Sequence, residues 1–222
     1  DVYKRQLITC TKEMLRDRRF LKKALMIACP VALQGMLNTV VNMVDTLMIG
    51  GLGSSAIAAV GLANKYFFVF NLLVFGIVSG AGILAAQFWG NGDVKSIRKV
   101  LGLSVLLAAA GAFVFVLPGF LWPHHVMRIF TTSESSIELG VKYLRIAVLT
   151  YPFIALTNVY VAMLRAVNRV VYPVACSCIA IAVNVALNYV LIFGKLGAPE
   201  MGVAGAACAT LIARCIEVSL IL

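Results

Sequence analysis

ALMIACPVALQGMLNTVVNMVDTLMI, residues 24–49, follows a pair of lysines and is broken only by Pro30, a few small polar or amide side chains and Asp45. A bilayer core takes about 20 apolar residues per helical span, so this run predicts a membrane-crossing helix. Gln34, Asn38, Asn42 and Asp45 are spaced by 4, 4 and 3 residues. At 100° per residue they share one arc of about 80°, a polar stripe that ends in a carboxylate. Such a stripe is expensive in hydrocarbon unless it meets a partner or water, so it marks a candidate water-filled transport cavity. Two other readings stay open at this point. The amides could join helices, or Asp45, about 33 Å of helix beyond Lys23, could be solvated at the outer end. Pro30 removes one backbone hydrogen bond a turn before the stripe, which makes it a candidate for helix bending.

The rest of the chain repeats the theme. Of 222 residues, 62% are hydrophobic and 13% charged, against roughly 45–50% and about 25% in soluble domains. That composition specifies an all-α integral membrane protein and excludes a cytosolic enzyme, a secreted disulfide scaffold and a disordered tail. Six spans are predicted, at about 24–49, 56–86, 100–122, 142–164, 174–193 and 203–222, after a basic segment over 1–23. Eight of the 19 Lys and Arg fall in that segment, which reads as a cytoplasmic flank attracted to the lipid bilayer and not as a nucleic-acid surface. With the N-terminus cytoplasmic, the inner flanks hold thirteen basic residues and the outer ones five. The chain opens without Met and stops inside an apolar run, so it is expected to be a fragment. The six cysteines lie mostly in apolar runs and suit packing.

Further polar residues lie inside the later spans. Ser177, Asn184 and Asn188 share a face of span five, and Thr210, Arg214 and Glu217 share one in span six, where Arg214 and Glu217 can pair. Gly76, Gly80 and Gly82 in span two have the spacing of a close helix contact. His124 and His125 read as a solvated pair near an interface. No HExxH, GxxxxGK[ST] or GxSxG motif is present, and the acidic residues are too dispersed for a two-metal centre, so no enzymatic site and no cofactor are expected.

These residues, taken in order, resemble the multidrug and toxin extrusion (MATE) family. The resemblance rests on Pro30 with Gln34, Val44-Asp45-Thr46, Met48-Ile49-Gly50, Leu52-Gly53, Ala58-Ala59-Val60-Gly61, Ala86-Gln87 through Gly90-Asn91-Gly92-Asp93, and Tyr143-Leu144 with Pro152. It continues through Leu164-Arg165-Ala166, Pro173, Asn184, Leu187-Asn188-Tyr189, Phe193-Gly194, Gly197, Pro199 and the small-residue run 202–207 with Ala209-Thr210. It implies a six-helix N-terminal lobe of a twelve-helix transporter whose C-terminal lobe is missing, related to it as a parallel repeat. It also implies efflux of drugs, xenobiotics or organic cations across the plasma membrane by alternating access, in exchange for Na⁺ or H⁺. By the same resemblance Asp45 is the coupling carboxylate, with Asn184, Thr210 and the backbone of Ala206 as companions in a cation site. Na⁺, if bound, would sit at Asp45 and Asn184. Asn188 departs from members that carry an aspartate there, which weakens a hard-cation cage. The alternative within the same superfamily is a lipid-linked oligosaccharide flippase, whose cavity would need several cationic residues.

Overall fold

The computed structural model describes residues 18–195, 197 and 199–222. Most of the predicted basic segment, residues 1–17 with Cys10, therefore lies outside the described residues. Everything regular among those described is helical. Helix α1 runs Arg18–Gly50, α2 Ser54–Gly90, α3 Val94–Leu121, α4 Pro123–Phe130, α5 Glu134–Ala147, α6 Tyr151–Ala166, α7 Val171–Phe193 and α8 Val203–Ile221.

The boundaries follow local chemistry. Gly53, at φ 109°, turns the chain between α1 and α2 in a conformation that side-chain-bearing residues rarely adopt. Asp93 caps α3 by accepting from the Ser96 backbone N–H at 3.1 Å, with the Ser96 hydroxyl on its other oxygen at 2.5 Å. Pro123 opens α4, where a missing N–H costs nothing. Gly194, at φ 62°, ends α7.

Five stretches among the described residues are long and apolar enough to cross a bilayer: Ser54–Gly90, Val94–Leu121, Glu134–Ala166, Val171–Phe193 and Val203–Ile221. The chain is a multi-pass membrane protein. Helix α1, at 33 residues, also has the length to cross, and Ala28–Leu37 is an apolar stretch among its described residues. The fourth predicted crossing, about 142–164, lies within the longer stretch Glu134–Ala166. The helical stretch that contains it starts at Glu134, ahead of the predicted span, and breaks at a 3-10 turn over Val148–Thr150 between α5 and α6. Pro152, without an N–H, sits just after that break.

The bundle is held by two kinds of contact. An aromatic core joins α2, α3 and α6: Phe70 stacks on Tyr151 with centroids 4.5 Å apart, and the Tyr66 hydroxyl donates to the Phe115 carbonyl at 2.8 Å. Helices α7 and α8 pack more closely. A Cβ on Gly205 would stand 2.5 Å from the Leu191 carbonyl oxygen, so that crossing requires glycine. The surface predicted for close packing at Gly76, Gly80 and Gly82 instead faces open space, with no neighbouring atom within 4 Å of an added Cβ. Large apolar side chains such as Phe75, Leu106 and Val114 point outward, as lipid-facing positions require. The described cysteines form no disulfide.

Candidate functional site

Asp45 lies near the end of α1, and α7 meets it. The Asn188 Nδ2 donates to the Asp45 carboxylate at 2.6 Å and, with its other hydrogen, to the Asn184 carbonyl at 3.2 Å. The Asn184 amide reaches the Thr210 hydroxyl on α8 at 3.3 Å, and that hydroxyl donates to the Ala206 carbonyl at 3.0 Å. All five residues expected to form the cation site thus lie in one hydrogen-bonded row across three helices. Helical spacing explains the row. Asn184 and Asn188 stack one turn apart, as do Ala206 and Thr210, and the close α7–α8 crossing at Gly205 brings the two stacks together. Asn188 is buried at 1% exposure, and its Oδ1 has no hydrogen-bond partner. The ionised carboxylate accepts only, so it draws the N–H side of the amide toward itself and turns the oxygen away.

The row borders a cavity of about 390 Å³. Asp45, Asn184, Ala206 and Thr210 line it, together with Asn64, Asn71, Phe67, Tyr151, Arg214 and Glu217. Its walls combine aromatic surface with oxygen and amide groups, and among the described lining residues the acidic and basic side chains are two carboxyls, Asp45 and Glu217, and one guanidinium, Arg214. Oxygen donors of this kind suit a proton or a hard monovalent cation, with water completing the shell. No cluster of three or more His, Cys, Asp or Glu occurs among the described residues.

Gln34 is placed differently from the expectation that it lines the transport cavity. It is 7% exposed and absent from the lining. Arg165 of α6 donates to its Oε1 at 2.9 Å, while its Nε2 donates to the Ser177 hydroxyl of α7 at 2.7 Å. The Ser177 hydroxyl donates in turn to Glu217 Oε1 at 2.7 Å, and Arg214 donates to Glu217 Oε2 at 2.6 Å. The physical reason is that a buried amide must satisfy both ends, and partners on two other helices are in reach. Asn38 and Asn42, also expected in the cavity, have side chains outside the described residues. Pro30 lies inside α1, one turn before Gln34.

Sequence reading overlooked three contributors. Arg165 entered only within the Leu164-Arg165-Ala166 stretch of the resemblance, with no partner foreseen, since Gln34 is 131 residues away. Asn64 and Asn71 were legible in principle: two amides seven residues apart in a very apolar helix share a face.

The chain resembles known proteins along most of its length. The MatE family profile matches residues 30–190. A "Probable multidrug resistance protein NorM" of Thermotoga maritima is 32% identical over 87% of this chain and 42% of its own length. The "Multidrug resistance protein PmpM" of Pseudomonas aeruginosa is 27% identical over 88% and 41%. A solved outward-facing multidrug resistance MATE transporter of the MOP superfamily has the same fold, with TM-score 0.82 at 24% identity, covering 90% of this chain and 44% of that one. The chain spans about two-fifths of the length of these curated relatives.

Proposed function

Because the chain belongs to the MatE family, we propose that it supplies the N-terminal lobe of a secondary active efflux antiporter for drugs or organic cations. The observation that carries this reading is the row from Asp45 through Asn188, Asn184 and Thr210 to Ala206 on the wall of the cavity. The lobe sits in the plasma membrane with its N-terminus cytoplasmic and α1 as a sixth span. The other half of the transporter is a second lobe of the same fold, which completes the cavity and provides the second access state.

Asp45 takes up H⁺ or Na⁺ from outside. Either one removes the negative charge that orients the Asn188 amide, so the amide is free to turn and the row from α1 to α8 is rearranged. The ion thereby biases the lobes between outward-open and inward-open states, and substrate leaves in exchange. The lining has a formal excess of one negative charge, which favours cationic substrates when Asp45 is ionised. A flippase for lipid-linked oligosaccharide is supported less well, because the one arginine on the lining is already paired with Glu217.

The test is efflux of an organic cation by the complete transporter in vesicles, driven by a proton gradient or by a Na⁺ gradient. Wild type exports under one of the two, and Asp45→Asn abolishes that dependence. Gradient-driven export undiminished in Asp45→Asn would refute the coupling role.

A further inference from the structure

The second polar row has no part in that scheme, and its chemistry runs in one direction. Arg165 has only donors and Glu217 only acceptors, so every proton between them points the same way: Arg165 to Gln34, Gln34 to Ser177, Ser177 to Glu217. Amide and hydroxyl are polarised between a cation and an anion, which strengthens each bond of the series. The row ties four helices, α6, α1, α7 and α8. It matters most for α1, whose outward side chains Leu33, Met36, Val40, Met43 and Leu47 are all exposed. One polar contact anchors α1 at Asp45, and this row anchors it a turn beyond Pro30.

The far end of the row is on the cavity wall. Glu217 is only 2% exposed, yet both it and Arg214 line the cavity, and the Arg214 side chain is 38% exposed. A guanidinium therefore already occupies the carboxylate from the cavity side, tethered three residues away on the same helix. The place it fills accepts a planar cation with N–H donors, and the aromatic wall of Phe67 and Tyr151 stands in the same cavity.

We propose that Glu217 is where this lobe recognises aryl amidinium or guanidinium substrates, which exchange with Arg214, and that Ser177, Gln34 and Arg165 are positioning residues that carry the exchange to α1. This rests on the efflux reading above and names a substrate class for its cavity. A cationic ligand that takes the place of Arg214 displaces that side chain into the cavity it already lines, repolarising Glu217 Oε1 and with it the Ser177–Gln34 link. Substrate occupancy and the seating of the Pro30 half of α1 are thereby joined.

The experiment uses the complete transporter, with 4-phenylbenzamidine as the N–H-bearing cation and methyltriphenylphosphonium as a cation without N–H donors. In Glu217→Gln the ratio of the amidine KM to the phosphonium KM rises about tenfold, since one charge-assisted contact is lost for the amidine alone. An unchanged ratio overturns the recognition role, and a general loss of fold lowers export of both cations without moving it. Spin labels at Met36 of α1 and Leu106 of α3, both exposed, are placed in a background whose own cysteines are alanine. Amidine, and not phosphonium, shifts the wild-type distance by about 2 Å, the scale of helix shifts in switching proteins. Ser177→Ala leaves the Arg214–Glu217 pair in place but cuts the row, so its distance is displaced without ligand and no longer answers to amidine. Gln34→Leu behaves the same way. Wild-type distances and responses in both variants overturn the positioning role. If wild type exports neither cation, the efflux reading fails, and equilibrium binding of amidine to purified wild type and Glu217→Gln still decides the inference.

Discussion

Two carboxylates line the same cavity and are treated in opposite ways. Asp45 is met by the neutral amide of Asn188, while Glu217 is met by a guanidinium and a hydroxyl. A carboxylate beside a neutral partner loses little when it takes up a proton or exchanges its contact for a cation. One paired with arginine keeps its charge, because neutralising it would strand the partner. Under the proposals above, Asp45 is the carboxylate that changes its charge and Glu217 the one that keeps its charge and changes its cation; α7 supplies a partner to both, and α8 adds Arg214 to Glu217.

Breaking the variable side has the largest effect. Asp45→Asn keeps the shape and removes the charge, and gradient-driven export in vesicles falls to background. Breaking the constant side comes next. Glu217→Gln leaves Arg214 and Ser177 facing a neutral amide, with an expected loss of about 3 kcal/mol, read as a lowered midpoint in chemical unfolding of the detergent-solubilised transporter. If stability is unchanged, the resting ion pair does not help to hold the lobe and the contrast fails.

The frame common to both carboxylates is the α7–α8 crossing. Gly205→Ala drives a methyl into the Leu191 carbonyl, a backbone atom that cannot swing aside, and about 2 kcal/mol is lost as the helices separate. Both rows should loosen together, detected as faster amide exchange in α7 and α8. Asn188→Asp sharpens the comparison by giving Asp45 a charged neighbour. Na⁺ dependence of export is then expected to strengthen about tenfold, or about 1.4 kcal/mol, because a second carboxylate improves a hard-cation site.

The smallest effect lies outside the membrane. The Ser96 hydroxyl and backbone N–H hold the Asp93 carboxyl below the usual carboxylate range. A lowered folded-state value stabilises above the unfolded value and is lost as pH falls through the folded one. Asp93→Ala should therefore lower Tm slightly at neutral pH, with the gap closing on acidification. A gap independent of pH would remove the capping account.

Much of the fold was legible because hydrocarbon imposes a coarse code: long apolar runs become helices, and glycines such as Gly53 and Gly194 mark their ends. Of the first row, Asp45, Asn184, Asn188 and Thr210 were legible as polar positions on helix faces, while Ala206 and the grouping into one cation site came from the family resemblance. Spacing alone could not show which of them bond, since 143 residues separate Asp45 from Asn188. The Gln34 row was read least well. The stripe placed Gln34 on the face of Asp45, but helical phase says which residues share a face and not whether that face meets a cavity or another helix.

The sequence by itself determined that this is a membrane protein of helices, which family it resembles and which side chains are too polar to sit in lipid unpartnered. Only the tertiary structure decided their partners. Hydrophobic patterning acts along one chain segment at a time, whereas a buried polar atom is satisfied by whichever helix packing brings within about 3 Å. That is why Arg165, quoted in the sequence only within a family motif, became the start of a row that ends at Glu217.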